Sequence, residues 1–511
     1  MRSKSAIINS VSAIIQKIIE TILSFVYRTI FIQTLGGIYL GVNGLFTNIF
    51  SIMSLAELGI GSSIIFLLYK PLVEKDYDTI NKLMQFFSKM YRLIAIFISI
   101  IGILIIPFFP YIINNNGQEI PNLIVIYLLL LFNTVSSYLF SYKRSLLEAD
   151  QKAYYSTINL SIFSIINTLS RIIILLVTKS FVLTLLISII ITLISNISIS
   201  IKVNRMYPYL KNNNQKLDDS YLKEIKKRMK AIMMHKVGNI VVTSTDNLII
   251  SKFINILSVG IYSNYVMITN IIYSTFSMIF ISITSSVGNL KIEESNEKAE
   301  NVFQKLLFLN FFFYYITCCC LITSFNDFIY VWLGNDYLLS YTTVFFIVLS
   351  LYISGMRHTV VAFINSSGLN YLTRYKPILE SVVNLVVSLI LVKYLGIIGV
   401  VIGTIVCYLV GSVWIEPVTL YKNWFKKDSK LFFIKYVYYI LLTFGVSFFI
   451  KFVLSWFIVN SWGLLLLKLI IEFFIGLIIF ILIFYKNENF KYFINLFKNI
   501  LKNTKKVLNL N

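Results

Sequence analysis

The chain has 511 residues, 57% of them hydrophobic and 13% charged, with 45 Lys and Arg against 23 Asp and Glu for a formal net charge of +22. So apolar a composition excludes an ordinary soluble domain, and the basic excess reads as a membrane-topology signal with no nucleic acid implied. A basic face of this size also attracts the anionic headgroups of a lipid bilayer, at about 1 kcal/mol per residue near the surface.

A bilayer-spanning helix needs about 20 mostly apolar residues. Stretches of this kind lie near 8–33, 39–68, 92–113, 121–142, 154–178, 181–201, 231–254, 258–289, 304–326, 337–366, 375–394, 397–421, 431–455 and 462–485. They predict an all-α integral membrane protein of about 14 transmembrane helices. The apolar run after Met1 continues past Gly36 and contains Lys17, Glu20 and Arg28, so it reads as a retained helix and not as a cleaved signal.

The connections alternate. Those near 1–7, 70–92, 143–153, 202–236, 291–305, 374–376, 422–435 and 486–511 hold 36 of the 45 Lys and Arg. Those near 34–38, 113–120, 255–258, 327–336 and 456–461 hold none, and the two near 179 and 393 hold one each. Positively charged flanks resist translocation, so the basic side is the cytoplasm and both termini lie there. Enrichment in Ile, Asn and Lys resembles the coding of an AT-rich bacterial genome.

The basic segment 202–230 splits the first twelve helices into two sets of six. Gly37-Ile38-Tyr39 is echoed by Gly260-Ile261-Tyr262, and Thr47-Asn48-Ile49 by Thr269-Asn270-Ile271, at equivalent points of the two sets. Internal repeats of this kind are common in transporters, with the binding site between them. The organisation expected is an N-terminal six-helix lobe at 1–215, a C-terminal six-helix lobe at 216–425, two extra helices at 426–490 and a basic tail at 491–511. A central cavity would lie between the lobes.

Ionised groups inside a span are costly and should face a cavity or a partner. In the first helix Asn9, Gln16, Lys17, Glu20, Ser24, Tyr27 and Arg28 fall within an arc of roughly 120°. Further stripes join Asn43, Ser54, Glu57 and Gly61; Ser164, Asn167 and Arg171; His235, Asn239, Thr243 and Asp246; and Ser354, Arg357, His358 and Asn365. With Asn264 and Asn270 they describe a water-filled chamber. Arg28, Arg171 and Arg357 suit bidentate binding of a phosphate, because a guanidinium cannot shed its charge. Lys17 and Glu20 can instead neutralise one another, and Glu57 can bridge to a neighbouring helix. Asp246 reads either as a cation or proton site or as a helix-helix hydrogen bond. Lys236, Glu148, Asp150, Glu380 and Glu416, near helix ends, read as interfacial.

Cys318, Cys319, Cys320 and Cys407 lie in apolar segments without metal-ligand spacing, so no metal centre or resident cofactor is expected. There is no phosphate-binding loop, only two histidines and no outer loop large enough for a catalytic surface, so no catalytic residues are assigned and an enzyme is not expected.

The segment Tyr39-Leu-Gly-Val-Asn-Gly-Leu-Phe through Leu55-Ala-Glu-Leu-Gly-Ile-Gly-Ser to Leu68-Tyr-Lys-Pro-Leu resembles the Wzx-type capsular and O-antigen repeat-unit flippases of bacteria. These belong to the multidrug/oligosaccharidyl-lipid/polysaccharide exporter superfamily. Asp246-Asn-Leu-Ile-Ile-Ser, Val259-Gly-Ile-Tyr-Ser, Val331-Trp-Leu-Gly and Leu395-Gly-Ile-Ile-Gly-Val-Val-Ile-Gly-Thr extend the resemblance over nearly the whole chain. It implies alternating-access movement of an undecaprenyl-pyrophosphate-linked oligosaccharide to the outer leaflet, alongside a glycan polymerase and glycosyltransferases of the same pathway. Arg28, Arg171 and Arg357 would then suit the pyrophosphate, within a pyrophosphate and sugar site that also takes in Lys17, Asn43, Glu57, His235, Asn239, His358 and Asn365. The superfamily also implies coupling to a Na+ or H+ gradient, assigned to Asp246, Asn384 and Thr404. The architecture is shared with cation-coupled drug antiporters of the multidrug and toxin extrusion type, which stand as the alternative. A membrane glycan polymerase or ligase is the third reading.

Overall fold

The structure is a computed structural model that describes residues 2–57, 59–117, 119–210 and 217–508. The side chains of residues 2–15, 230–232, 234, 235, 239, 285 and 500–508 lie outside that description. The described secondary structure is helical throughout. Water is absent from the bilayer core, so a spanning segment must satisfy its backbone internally, and helices do this residue by residue.

By contact the chain divides into two compact units, Met1–Ser263 with Val392–Gly396, and Asn264–Leu391 with Ile397–Asn511. The first contains α1 (Arg2–Met53), α2 (Ile60–Glu74), α3 (Tyr77–Ile105), α4 (Phe109–Ile112), α5 (Leu123–Ala149), α6 (Ala153–Thr178), α7 (Phe181–Met206), α8 (Asp219–Ser244) and α9 (Asp246–Phe253). The unit boundary falls within α10 (Ile256–Glu293). The second holds α11 (Asn296–Leu333), α12 (Tyr341–Met356), α13 (His358–Ser367), α14 (Lys376–Leu395) as far as Leu391, α15 (Ile397–Val410), α16 (Ser412–Leu420), α17 (Lys430–Val453), α18 (Trp462–Phe484) and α19 (Glu488–Leu508).

Among the described residues twelve helical segments are long and apolar enough to cross a membrane, against the 14 expected. Two differences account for the count. The first two expected spans are joined in Gln16–Glu57, whose break is a kink at Gly36 (φ 82°, ψ 176°) and not a loop. An L side chain would be strained at that φ, which is why the chain turns at this glycine. The expected span at 231–254 is divided between α8, whose first half is basic, and the eight-residue α9.

Local signals start several helices. Ser180, Ser295, Ser340 and Ser461 each accept a hydrogen bond from the backbone N–H three residues on, at 3.3–3.4 Å, capping α7, α11, α12 and α18. Asp76 caps α3 at 3.0 Å, and its hydrogen bonds with Thr79 hold the carboxyl below the usual carboxylate range.

Packing in the first unit is inverted relative to a soluble bundle. On α6, Ile158, Ile162, Ile166 and Ile173 are exposed. The polar side chains face the neighbouring helix, Asn159 donating to Ser198 at 2.8 Å and Asn167 to Ser188 at 3.1 Å. Lipid is as apolar as isoleucine, so interhelical hydrogen bonds and close packing take over from the hydrophobic effect. The second unit has an aromatic core on α11, where Phe311 stacks on Tyr439 with ring centroids 3.8 Å apart.

The repeated Gly-Ile-Tyr segments meet in the first unit. A Cβ on Gly41 would strike the Ile256 carbonyl, and one on Gly260 would strike the Gly37 carbonyl. The contact is reciprocal, backbone against backbone, and only glycine fits both sides. We expect Gly260→Ala to lower the thermal unfolding midpoint of detergent-purified protein, with a cost of about 1–3 kcal/mol as for other overpacked contacts. Gly445→Ala, whose added methyl meets nothing within 4 Å, is the control and should leave the midpoint unchanged or raise it.

Candidate functional site

Two of the three predicted arginines converge on one tyrosine. Arg171 of α6 donates a hydrogen bond to the Tyr27 hydroxyl and also lies over the Tyr27 ring, its guanidinium carbon 4.0 Å from the centroid. Arg28, the next residue along α1, is within electrostatic reach of Tyr27 and donates to the Ser263 hydroxyl at 2.5 Å. Tyr27 and Arg28 are successive residues, about 100° apart around α1 and both within its polar arc, and the packing of α1 against α6 brings in Arg171. Among the described residues Arg171 forms no ion pair with a carboxylate, and its Nε is buried without a hydrogen-bond acceptor. This is a half-buried guanidinium held in place by a neutral ring, with a donor to spare.

Glu57 of the first unit has an opposite charge beside it. Glu57, in a tight turn at Ser54–Glu57, pairs with Lys236 of α8 at 2.6 Å and accepts from the Tyr91 hydroxyl at 2.6 Å. Gly61 leaves room for this arrangement, since a Cβ there would lie 2.9 Å from both Glu57 Oε1 and the Tyr91 hydroxyl. Lys236, read from the sequence as interfacial, is therefore the partner of Glu57. Arg144 of α5 is met entirely by neutral oxygens, those of Ser156, Asn159, Ser195 and Asn196 at 3.0–3.3 Å.

The third arginine is in a different setting. Arg357, at the break between α12 and α13, binds Glu416 with two hydrogen bonds of 2.9 and 3.2 Å. Lys376 reaches the same carboxylate at 2.5 Å and Glu380 at 3.6 Å, while Ser412 donates to Glu380. Tyr408 lies under the guanidinium at 5.2 Å. Two positive and two negative charges thus cancel inside the second unit. Glu380 and Glu416 are 6% and 5% exposed, which corrects their interfacial reading: α14 and α16 turn both carboxylates inward to meet Arg357 and Lys376. The i,i+4 spacing of Lys376 and Glu380 was the signal available in the sequence. His358, next to Arg357, is buried against Tyr273 and Phe280, with Nε2 3.1 Å from the Tyr314 hydroxyl.

The remaining predicted residues are dispersed. Lys17 and Asn43 are half-buried on α1, and Glu20 accepts from Gln16 at 3.0 Å. Asn365 is exposed on α13. The side chains of His235 and Asn239 lie outside the described residues. Asn384 donates to Thr404 at 3.1 Å between α14 and α15. Asp246 opens α9, where a carboxylate complements the helix dipole. An open groove of about 960 Å³ in the first unit, among Tyr111, Asn114, Asn122 and Lys252, contains none of these residues.

The ionic quartet carries a prediction. Glu416→Gln would leave Arg357 and Lys376 facing Glu380 alone, and we expect it to destabilise the folded protein by about 3–5 kcal/mol, the cost of breaking a buried pair. Arg357→Met with Glu416→Gln, measured together by denaturant unfolding in detergent, should recover part of that loss.

No family model and no curated protein matches the chain. Solved structures do. The lipid II flippase MurJ, in an inward closed conformation, aligns with a TM-score of 0.68 at 16% identity over 94% of this chain and 99% of its own. An inward-facing multidrug resistance MATE family transporter of the MOP superfamily aligns with a TM-score of 0.61 at 15% identity, over 77% of this chain and 93% of that one. A MOP superfamily transporter from Pyrococcus furiosus aligns at 0.53 and 16% identity, over 81% and 95%. Identities this low bear on the fold alone: the chain is an integral, multi-pass membrane protein with the fold of MOP superfamily transporters.

Proposed function

We propose that the protein is a flippase that carries an undecaprenyl-pyrophosphate-linked oligosaccharide from the cytoplasmic to the outer leaflet of a bacterial plasma membrane by alternating access. The observation that carries this reading is Arg171, a guanidinium fixed on Tyr27 beside Arg28, with a buried Nε that has no acceptor among the described residues. A pyrophosphate oxygen is the acceptor that such a donor suits, and guanidinium-phosphate bonds are charge-assisted and directional. Arg357, neutralised by Glu416, takes no direct part in this assignment.

The fold match adds weight. The MurJ alignment extends over 94% of this chain, whereas the two MATE and MOP transporter alignments cover 77% and 81%. The better-covered structure is the one named as a flippase of lipid II. A cationic site is also the wrong sign for an organic-cation antiporter. In this reading the basic connections and both termini face the cytoplasm, where glycosyltransferases would build the substrate, and a polymerase of the same pathway would act after export. Asparagine, serine, tyrosine and histidine side chains would serve the sugar hydroxyls. Asp246, Asn384 and Thr404 remain the residues assigned to coupling with Na+ or H+.

Glycan export in cells lacking the native gene tests the anion site. Arg171→Ala and Arg28→Ala should insert normally yet each lose substrate affinity by on the order of tenfold to a hundredfold, the worth of one charge-assisted hydrogen bond. Arg171→Lys should restore part of the activity. Wild-type export in both alanine variants would sink the pyrophosphate assignment. For coupling, Asp246→Asn should abolish the response of transport to an imposed Na+ or pH gradient in proteoliposomes; an unchanged response removes Asp246 from the coupling site.

A further inference from the structure

Lys468 is one of five Lys or Arg that neither the basic connections nor the outer helix ends account for, and the anion site does not use it. It belongs to a buried stripe on α18 made of Leu465, Lys468, Glu472, Gly476, Phe480 and Phe484. The opposite face, with Leu466, Ile470, Phe474, Ile478 and Leu482, is exposed. The buried stripe packs on α11, where the Tyr315 hydroxyl donates to the Gly476 carbonyl at 3.0 Å.

Three ionisable groups meet in this helix pair. Lys468 Nζ contacts Asp327 Oδ2 at 2.6 Å, and the Ser324 hydroxyl is 2.5 Å from Glu472 Oε1. One ammonium thus faces two carboxyls, and Asp327 holds it. Glu472 has no exposed surface, and its Oε2 is buried with no hydrogen-bond partner among the described residues. Ser324 has a single hydroxyl proton, so it cannot serve both carboxyl oxygens. A carboxylate in that position would have one charged oxygen bare inside a membrane-spanning segment, whereas a neutral acid leaves only a carbonyl oxygen bare, at far smaller cost.

Among the described residues no second cation reaches Glu472. From α11 the neighbouring titratable groups are Cys319, Cys320, Tyr315 and Asp327; from α17 they are Lys451, with Ser447 donating to Cys319 at 3.6 Å. The Lys451 ammonium is occupied above the Tyr341 ring, 3.7 Å from its centroid. On α18 itself there is only Lys468, one turn from Glu472 on the same face.

We propose that Glu472 is a proton-binding site within the membrane, which holds its proton while Lys468 is engaged by Asp327 and releases it when Lys468 turns to the Glu472 carboxylate. Release takes the proton to solvent and leaves one Lys468 ammonium shared between two carboxylates. Asp327, whose side chain is 24% exposed, is the member of the cluster that opens outward. The pairing of α11 with α18 is therefore sensitive to pH. This assignment does not depend on what the protein transports.

Infrared difference spectroscopy of the full-length protein in lipid nanodiscs, recorded across pH, tests it directly. The expected result is the carbonyl stretch of a protonated carboxylic acid present at neutral pH, shifted by 13C labelling of glutamate, absent in Glu472→Gln and retained in Asp327→Asn. The isotope arm needs no variant. Thermal unfolding gives an independent readout. A folded state that binds one proton more than the unfolded chain loses stability as pH rises above the unfolded carboxyl range of about 4.3. Wild type should therefore show a steeper fall, by up to about tenfold per pH unit in the folded-to-unfolded ratio, than Glu472→Gln. Coincident infrared spectra for wild type and Glu472→Gln, or equal pH slopes, overturn the proposal. So does stabilisation at neutral pH by Na+ over choline that requires Glu472, which would make the bound species a metal cation.

Discussion

A charge inside a membrane has to be answered by the protein, because neither water nor lipid will do it. The architecture of this chain follows from how it meets that demand. Arg357 and Lys376 are cancelled by Glu416 and Glu380, Glu57 by Lys236, and Lys468 by Asp327. Arg144 is surrounded by hydroxyl and amide oxygens, which disperse the charge without neutralising it. Each solution ties one helix to another: α13 to α16 and α14, the turn before α2 to α8, α11 to α18, and α5 to α6 and α7. The polar contacts that make the charges tolerable are the same ones that specify which helices pair.

Among the described residues Arg171 is met in a different way. Its neighbour is a ring and a hydroxyl, neither of which carries a compensating charge. Aromatic faces and guanidinium groups attract one another, which fixes the side chain in place while leaving its charge available. A residue held so keeps its position and its charge without a carboxylate partner among the described residues. A buried pair such as Arg357 with Glu416 is instead a structural clasp, since an anionic ligand would have to displace a carboxylate already bound through two hydrogen bonds.

Small residues set the other constraint. The reciprocal approach of Gly37 and Gly41 to Ile256 and Gly260 brings two helix backbones together closer than any side chain permits. In lipid such close packing supplies the dispersion energy that drives helices to associate. The repeated Gly-Ile-Tyr segments thus have a role that a repeat alone does not reveal: they form one contact with each other.

The amino-acid sequence alone determined the helical, multi-pass membrane architecture and the charges that must sit within spans, whereas the kink at Gly36 and the serine caps emerged only with the structure. The first two are local matters, since apolar length and backbone satisfaction depend on neighbouring residues only. The division of 231–254 into α8 and α9 was less legible, because the basic first half of α8 runs on as helix without being apolar enough to span. Only the tertiary structure decided which charges are cancelled. Glu416 lies 59 residues from Arg357, and Lys236 lies 179 from Glu57. Partners on separate helices leave no periodic trace in the chain, so a neutralised arginine and an available one look alike until the helices are packed.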